Sequence, residues 1–292
     1  MTRYFCFRFD VDTHRCIRRG VPNLIALGAR MDVPFTFFVN MGRAVSRARL
    51  AFGPRGTSGS GPTDEVAAKL SARTKLGLRD TLVAVALNPS VGVGSPRVLN
   101  AAIDAGHEVG LHGGTNHAVW QADAHRWTGE RIRDQVTRGL RALEQITGHS
   151  PAGFASPGWN SPDPLPLILE ELGFSYLADL HGPATGPEQG GIQSAPGTER
   201  LLSVRTAITA EPGGVAYLEH LRARNLDARA IRDDFRDRLE RAGRLAVIYD
   251  HPYFAGVREL DLVRDLVALA RDMGFRPVRL VDAVTILSAP PE

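Results

Sequence analysis

The sequence predicts an α/β fold built on a parallel β-sheet, open or closed into a barrel, and three observations carry that expectation. Strand-like and helix-like apolar periods alternate along most of the 292 residues. Three strand-like runs end on polar residues able to do chemistry: Asp10, His112 and His251. There is no internal repeat and no run of 18 apolar residues, so neither a solenoid nor a transmembrane helix is expected.

In chain order, Tyr4–Asp10 alternates apolar and polar residues, a strand pattern. A helix is expected near Val21–Arg30 and a second strand at Phe35–Val39. A long insertion comes next, at about residues 41–96. It contains the flexible composition of Gly53–Pro62 and the apolar stretch Leu76–Leu87. A short strand at Glu108–Leu111 precedes a long helix at Gly129–Thr147, and strands at Gly153–Ala155 and Ser175–Ala178 flank a helix at Leu165–Leu172. Gly182–Pro196 is again rich in Gly and Pro. The chain ends with a helix at Ala228–Ala242, a strand at Leu245–Tyr249, a helix at Leu260–Met273, a strand at Arg276–Leu280 and a closing helix through Leu287. Residues 1–292 are expected to form a single domain.

Composition narrows the function. Lys and Arg number 35 against 32 Asp and Glu, a net charge of +3. That excess is too small to argue for nucleic acid, and no recognition motif for one is present. Cys6 and Cys16 are too few for a disulfide framework; Cys6 on the first strand reads as a buried free thiol. So few cysteines make a reducing, cytoplasmic setting the expectation, and the N-terminal run, interrupted by the charge of Arg8, does not read as a signal peptide.

Four segments could do chemistry. In Phe9-Asp10-Val11-Asp12, carboxylates at i and i+2 leave a strand on one face, where one can bind a metal and its neighbour act as base. Capping the loop after the strand is the plainer role for such a pair. In Leu111-His112-Gly113-Gly114-Thr115-Asn116-His117, two imidazoles bracket a Gly-rich turn. Two His and a carboxylate would leave an open position on zinc, although a structural pair reads equally well. In Tyr249-Asp250-His251-Pro252 a strand stops at a histidine suited to protonating a leaving amine. In Ala155-Ser156-Pro157-Gly158-Trp159 the Gly158 N–H could hold an oxyanion, and ordinary turn chemistry explains the same residues. Trp159, Trp120 and Tyr253 could stack on a sugar ring or simply pack.

In this order, these segments resemble the polysaccharide deacetylase (NodB-homology) superfamily. They are most similar to its branch of lipid-linked 4-formamido-arabinose deformylases and amino-sugar deacetylases. Arg8–Thr13, Gly20-Val21-Pro22, Asn40-Met41-Gly42-Arg43, His107–His112, Ala118–Gln121, Ala155–Trp159 and Tyr176–Gly182 carry the likeness. The resemblance implies an α/β fold of distorted (β/α)7-type, a TIM-like barrel, and a divalent metal, zinc first. It implies Asp10 as catalytic base, Asp12, His112 and His117 as metal ligands, His251 as general acid, and Asp179 as a supporting acidic residue. The family's second metal histidine usually stands where this chain has Asn116, so His117 is displaced by one. The arginine that usually steadies the base is replaced by Ala155.

The activity implied by the resemblance is metal-assisted removal of a formyl or acetyl group from an amino-sugar nitrogen. The sugar could be carried on a polyprenyl phosphate, which would bring the protein to the inner face of a membrane by peripheral contact. Arg43, Arg47, Arg49, Lys69, Arg73, Lys75 and Arg79 beside Leu76–Leu87 fit such a lipid surface, and a solvated helix equally well. Two other readings stay open. One is a cyclic amide or ureide amidohydrolase of the same fold; the other is a catalytically degenerate member that binds glycan or lipid.

Overall fold

The computed structural model describes residues 1–46, 88–182, 191–210 and 214–289. Strands β1 (Arg3–Val11), β2 (Thr36–Val39), β3 (Glu108–His112), β4 (Gly153–Ala155), β5 (Tyr176–His181), β6 (Ile192–Ser194), β7 (Leu202–Thr206), β8 (Leu245–Asp250) and β9 (Phe275–Pro277) form one sheet, in the order β6-β7-β5-β4-β3-β2-β1-β8, with β9 beside the start of β1. Every neighbouring pair is parallel except β6 with β7. The two ends meet just past β7. There Ile208 N–H donates to Val247 O (2.9 Å) and Tyr249 N–H to Ile208 O (3.3 Å). Strands β1, β2, β3, β4, β5, β7 and β8 thus ring a seven-stranded barrel, the fold the resemblance implies.

The alternation of β1 explains its two faces. Phe5, Phe7 and Phe9 point outward into an aromatic layer with Phe35 and Phe37, against which the helices pack. Cys6, Arg8 and Asp10 point inward. The inward cluster also holds Phe38, Ala155, Tyr176, Ala178 and Val247, and is closed from below by Leu280, Ala283 and Val284 of the last helix. A polar network ties that plug to the barrel. Glu108 accepts from Tyr176 Oη (2.6 Å), Thr36 Oγ1 (2.9 Å) and the helix N–H of Val281 (3.0 Å).

The outer helices are α1 (Val21–Met31), α2 (Pro96–Asp104), α3 (His117–Asp123), α4 (Gly129–Thr147), α5 (Leu165–Glu171), α6 (Tyr217–Ala223), α7 (Ala228–Arg241), α8 (Pro252–Ala255), α9 (Leu260–Asp272) and α10 (Leu280–Ser288). Helix α4 keeps the bounds its sequence predicts because both ends are marked. Thr128 Oγ1 accepts from Arg131 N–H (3.3 Å), and Gly148 turns left-handed (φ 73°). The strand expected at Arg276–Leu280 is shorter: β9 stops at Pro277, and Leu280 already opens α10. The described residues on either side of positions 47–87 are joined, Val91 N–H donating to Gly42 O (2.8 Å) and Asn88 Nδ2 to Val45 O (2.8 Å). Of the insertion's basic and apolar candidates for a lipid surface, only Arg43 is described; Arg47, Arg49, Lys69, Arg73, Lys75, Arg79 and Leu76–Leu87 lie outside the described residues. Among the described residues, no helix is long and apolar enough to cross a membrane.

Candidate metal centre and active site

Parallel barrels present their strand C-termini at one mouth. Asp10 and Asp12 arrive there from β1, His112 from β3 and His251 from β8. His117 arrives from the first turn of α3, which Asn116 caps by accepting from Val119 N–H (3.1 Å). Asp12 is the hub. Its Oδ1 lies 3.2 Å from both His112 Nε2 and His117 Nε2, and its Oδ2 lies 3.2 Å from His251 Nε2.

These residues fit a divalent cation. Asp12 Oδ1 is buried and has no hydrogen-bond partner, although two imidazole nitrogens converge on it. His112 donates its Nδ1–H to Ala155 O (2.9 Å), which fixes the tautomer and leaves the Nε2 lone pair facing Asp12. Asp12, His112 and His117 together offer two imidazole nitrogens and a carboxylate oxygen within 4.8 Å of one another, the donor set of an open catalytic zinc site. Burial raises the Asp12 pKa, but the neighbouring His117 and His251 outweigh it and hold the carboxyl well below its ordinary range. Glu219, Asp250 and His251 also cluster closely. There Asp250 acts as a backbone clamp, its oxygens accepting N–H groups from Leu218 (2.5 Å), Glu219 (3.3 Å) and His251 (2.8 Å).

Asp10 stands beside the triad, its Oδ2 3.9 Å from His112 Nε2. It is gripped from below by Arg8, whose Nη2 donates to both carboxylate oxygens at 2.9 Å. Arg8 is itself buried. Nη1 donates to Ala178 O (2.6 Å) and Thr206 Oγ1 (3.1 Å), and Phe38, Trp159 and Tyr249 surround the guanidinium at 4.8–5.3 Å. The arginine that the resemblance leads one to expect at position 155 is absent, and Arg8, two residues upstream of Asp10 on the same face of the same strand, grips the Asp10 carboxylate. The i, i+2 spacing of Arg8 and Asp10 is the sequence signal for it, although within the N-terminal run Arg8 reads as no more than an interrupting charge.

His251 is oriented by a residue no motif marks. Its Nδ1 donates to Glu219 Oε2 (3.0 Å), and its Nε2 is 3.1 Å from Tyr249 Oη. Glu219 sits in the first turn of α6, held to His251 by the Asp250 clamp. Burial disfavours the imidazolium, yet Asp12 and Glu219 outweigh it and hold His251 well above the usual histidine value. The Asp250 carboxyl is pushed up to about 7 by burial and by Glu219.

The remaining expected residues lie around this centre. Asp179 accepts Ser156 N–H on Oδ1 (2.7 Å) and pins the β4 turn, while the carboxylate that contacts His251 is Glu219. Trp120 is fully buried against Trp127 and Phe154, its Nε1 donating to Asn160 O (3.0 Å), and presents no face to a sugar. Tyr253 is buried behind His251, its ring centroid 5.8 Å from the imidazole. Gly158 is exposed at the mouth in a left-handed conformation (φ 62°), as is Trp159 (φ 58°), two consecutive positive φ values that seat the indole over Arg8. Trp159 Nε1 donates to Gly214 O (2.6 Å), tying the β4 turn to the segment after β7.

The sequence profile of the polysaccharide deacetylase family matches residues 6–177. A protein of Shewanella sediminis, described as a probable 4-deoxy-4-formamido-L-arabinose-phosphoundecaprenol deformylase ArnD, is 32% identical over 181 residues, 60% of this chain and 56% of that relative. The chain thus matches a little over half the length of that relative. A crystal structure described as that of a probable polysaccharide deacetylase from Pseudomonas aeruginosa PAO1 superposes with a TM-score of 0.62 at 13% identity, covering 97% of this chain and 89% of that one. A CE4-family pseudoenzyme from Bacillus anthracis superposes with a TM-score of 0.55 at 13% identity, covering 97% of this chain and 66% of that one. The structural likenesses bear on fold alone, while the profile spans more than half of the sequence and takes in Asp10, Asp12, His112 and His117. The chain belongs to the polysaccharide deacetylase family.

Proposed function

We propose that this protein is a metal-dependent amide hydrolase that removes a formyl or acetyl group from the nitrogen of an amino sugar carried on a polyprenyl phosphate. The observation that carries the reading is the convergence of His112 Nε2 and His117 Nε2 on the unpartnered Asp12 Oδ1, with a gripped carboxylate and an oriented imidazole on either side. The sugar and its carrier are taken over from what the Shewanella relative is described as acting on.

Asp12, His112 and His117 would hold the cation, zinc by the character of the donors. When bound, it supplies Lewis acidity toward the acyl carbonyl and toward the attacking water. Asp10 takes the water's proton. Arg8 fixes both of its oxygens and holds the carboxylate in place. The exposed Gly158 turn offers its N–H to the developing oxyanion. His251 delivers a proton from Nε2 to the departing sugar amine, because its Nδ1–H is committed to Glu219. Trp159, half-buried at the mouth, walls the sugar side of the site. The lipid carrier would be met by peripheral contact.

Formate release from a polyprenyl-phosphate-linked 4-formamido sugar tests the reading. Zinc-loaded protein should release formate and the free amine in equal amounts, and Asp10→Asn should not. A zinc-loaded protein that binds the substrate and leaves the amide intact would place this chain with the family's pseudoenzymes instead.

A further inference from the structure

On the outer side of the turn joining His112 to His117 lies an open cavity of about 370 Å³, walled by Gly114, Thr115 and Asn116 and by the face of α4 carrying Arg138 and Ala142. That volume falls within the range of small-molecule sites. Arg43 and Arg138 both line it, over an apolar floor that includes Met41 and Ala142. Arg43 is exposed, and its guanidinium makes no hydrogen bond or ion pair with any described residue. Arg138 gives its Nε to Asp134 (2.8 Å) and uses neither Nη nitrogen on a described residue. Two arginines lining one cavity bring to it two planar guanidinium forks, and such forks match phosphate oxygens.

The cavity is also joined to the turn between His112 and His117. Arg43 N–H donates to Thr115 O (3.0 Å), and Arg43 O accepts from His117 N–H (2.9 Å). That is a strand-like pairing, which places the Arg43 backbone about 5 Å from a metal ligand's backbone. A sugar linked to a phosphate could thus lie across the rim, with the phosphate outside and the acyl nitrogen inside.

We propose that this cavity binds the phosphate of an amphiphilic substrate, with Arg43 and Arg138 on the phosphate oxygens and the first carbons of the chain on Met41 and Ala142. The substrate's identity rests on the hydrolase reading; the binding does not, so it can be tested with no turnover. Calorimetric titration of the full chain with farnesyl phosphate, farnesol and inorganic phosphate provides that test. Farnesyl phosphate should bind, farnesol should not saturate, and Arg43→Met and Arg138→Met should each weaken farnesyl phosphate by about tenfold or more, a loss of ~1.4 kcal/mol. Arg229→Met, on the distant and exposed face of α7, should bind like the wild type. Inorganic phosphate bound as tightly as farnesyl phosphate would keep the anion site and overturn the amphiphile. Farnesol bound as tightly as its phosphate, or variants that bind unchanged, would overturn the proposal entirely. Equal circular dichroism and melting of the variants separate lost binding from lost folding.

Discussion

At the scale of single residues, two side chains outside the expected set govern the ones within it. Arg8 is buried with Asp10, and removing one member of such a pair leaves an uncompensated charge in the barrel. Arg8→Met should therefore destabilise the protein by about 3–5 kcal/mol in denaturant titration. Arg8→Met combined with Asp10→Asn should recover much of that loss, since the stranded carboxylate is gone. Losses that simply add in the double variant would show that the pair is uncoupled. His251 lies as near to Asp12 as the two other histidines do, yet its Nδ1 is bound to Glu219 and it is assigned to proton delivery. His251→Gln should lower kcat by about 10²–10⁴-fold with zinc content unchanged. Loss of zinc in that variant would make His251 a ligand and empty the proton-delivery role.

At the scale of elements, the approach of the β2 segment to the turn between His112 and His117 is close enough to be tested by one methyl group. A Cβ on Gly42 would come within 2.0 Å of Thr115 O, on backbone that cannot yield without moving the turn before His117. Gly42→Ala should weaken zinc binding, read by competition with a chromogenic chelator, although Gly42 is no ligand. Unchanged affinity would mean that the turn can move without carrying His117. Lower in the barrel wall, His107 is buried and its Nδ1 accepts Phe35 N–H (2.9 Å), so it must stay neutral. Burial lowers its pKa to about 4, against an unfolded value of about 6.5. A base with a depressed folded pKa leaves stability intact above pH ~6.5 and withdraws it as pH falls toward 4, because the unfolded chain binds the proton first. The denaturation midpoint of wild type should fall across that window more steeply than that of His107→Asn, which keeps an acceptor but no titration. Parallel pH profiles would contradict the assignment.

The elements differ in how far the sequence reveals them. β1, α4 and β8 match their apolar periods because each has a buried face and marked ends. Helix α6 escapes a sequence reading: Tyr217–Ala223 is too short for a helical period to emerge. Strands β6 and β7 escape it as well, in and beside a Gly- and Pro-rich stretch with weak alternation. Glu219 cannot be found from spacing, because its partner His251 is 32 residues away and joined to it only by folding. Trp120 sits beside the histidine motif and reads as a rim aromatic; whether it faces a ligand or the core depends on α3 packing over Trp127 and Phe154. Asp179 lies on β5 near the mouth, and there its oxygen is taken by the Ser156 N–H.

At the scale of the whole molecule, a seven-stranded barrel gathers side chains from β1, β3, β8 and the start of α3, up to 241 positions apart in sequence between Asp10 and His251, onto one small volume at its mouth. The outer aromatic layer and the plug of α10 hold that geometry from outside and below. On the reading proposed above, that volume holds a divalent cation. Anomalous diffraction at the zinc edge from crystals grown with zinc tests it most directly. A peak about 2.0–2.2 Å from Asp12 Oδ1, His112 Nε2 and His117 Nε2 is the predicted result; a map with no peak there, or a zinc bound by other residues, would contradict it.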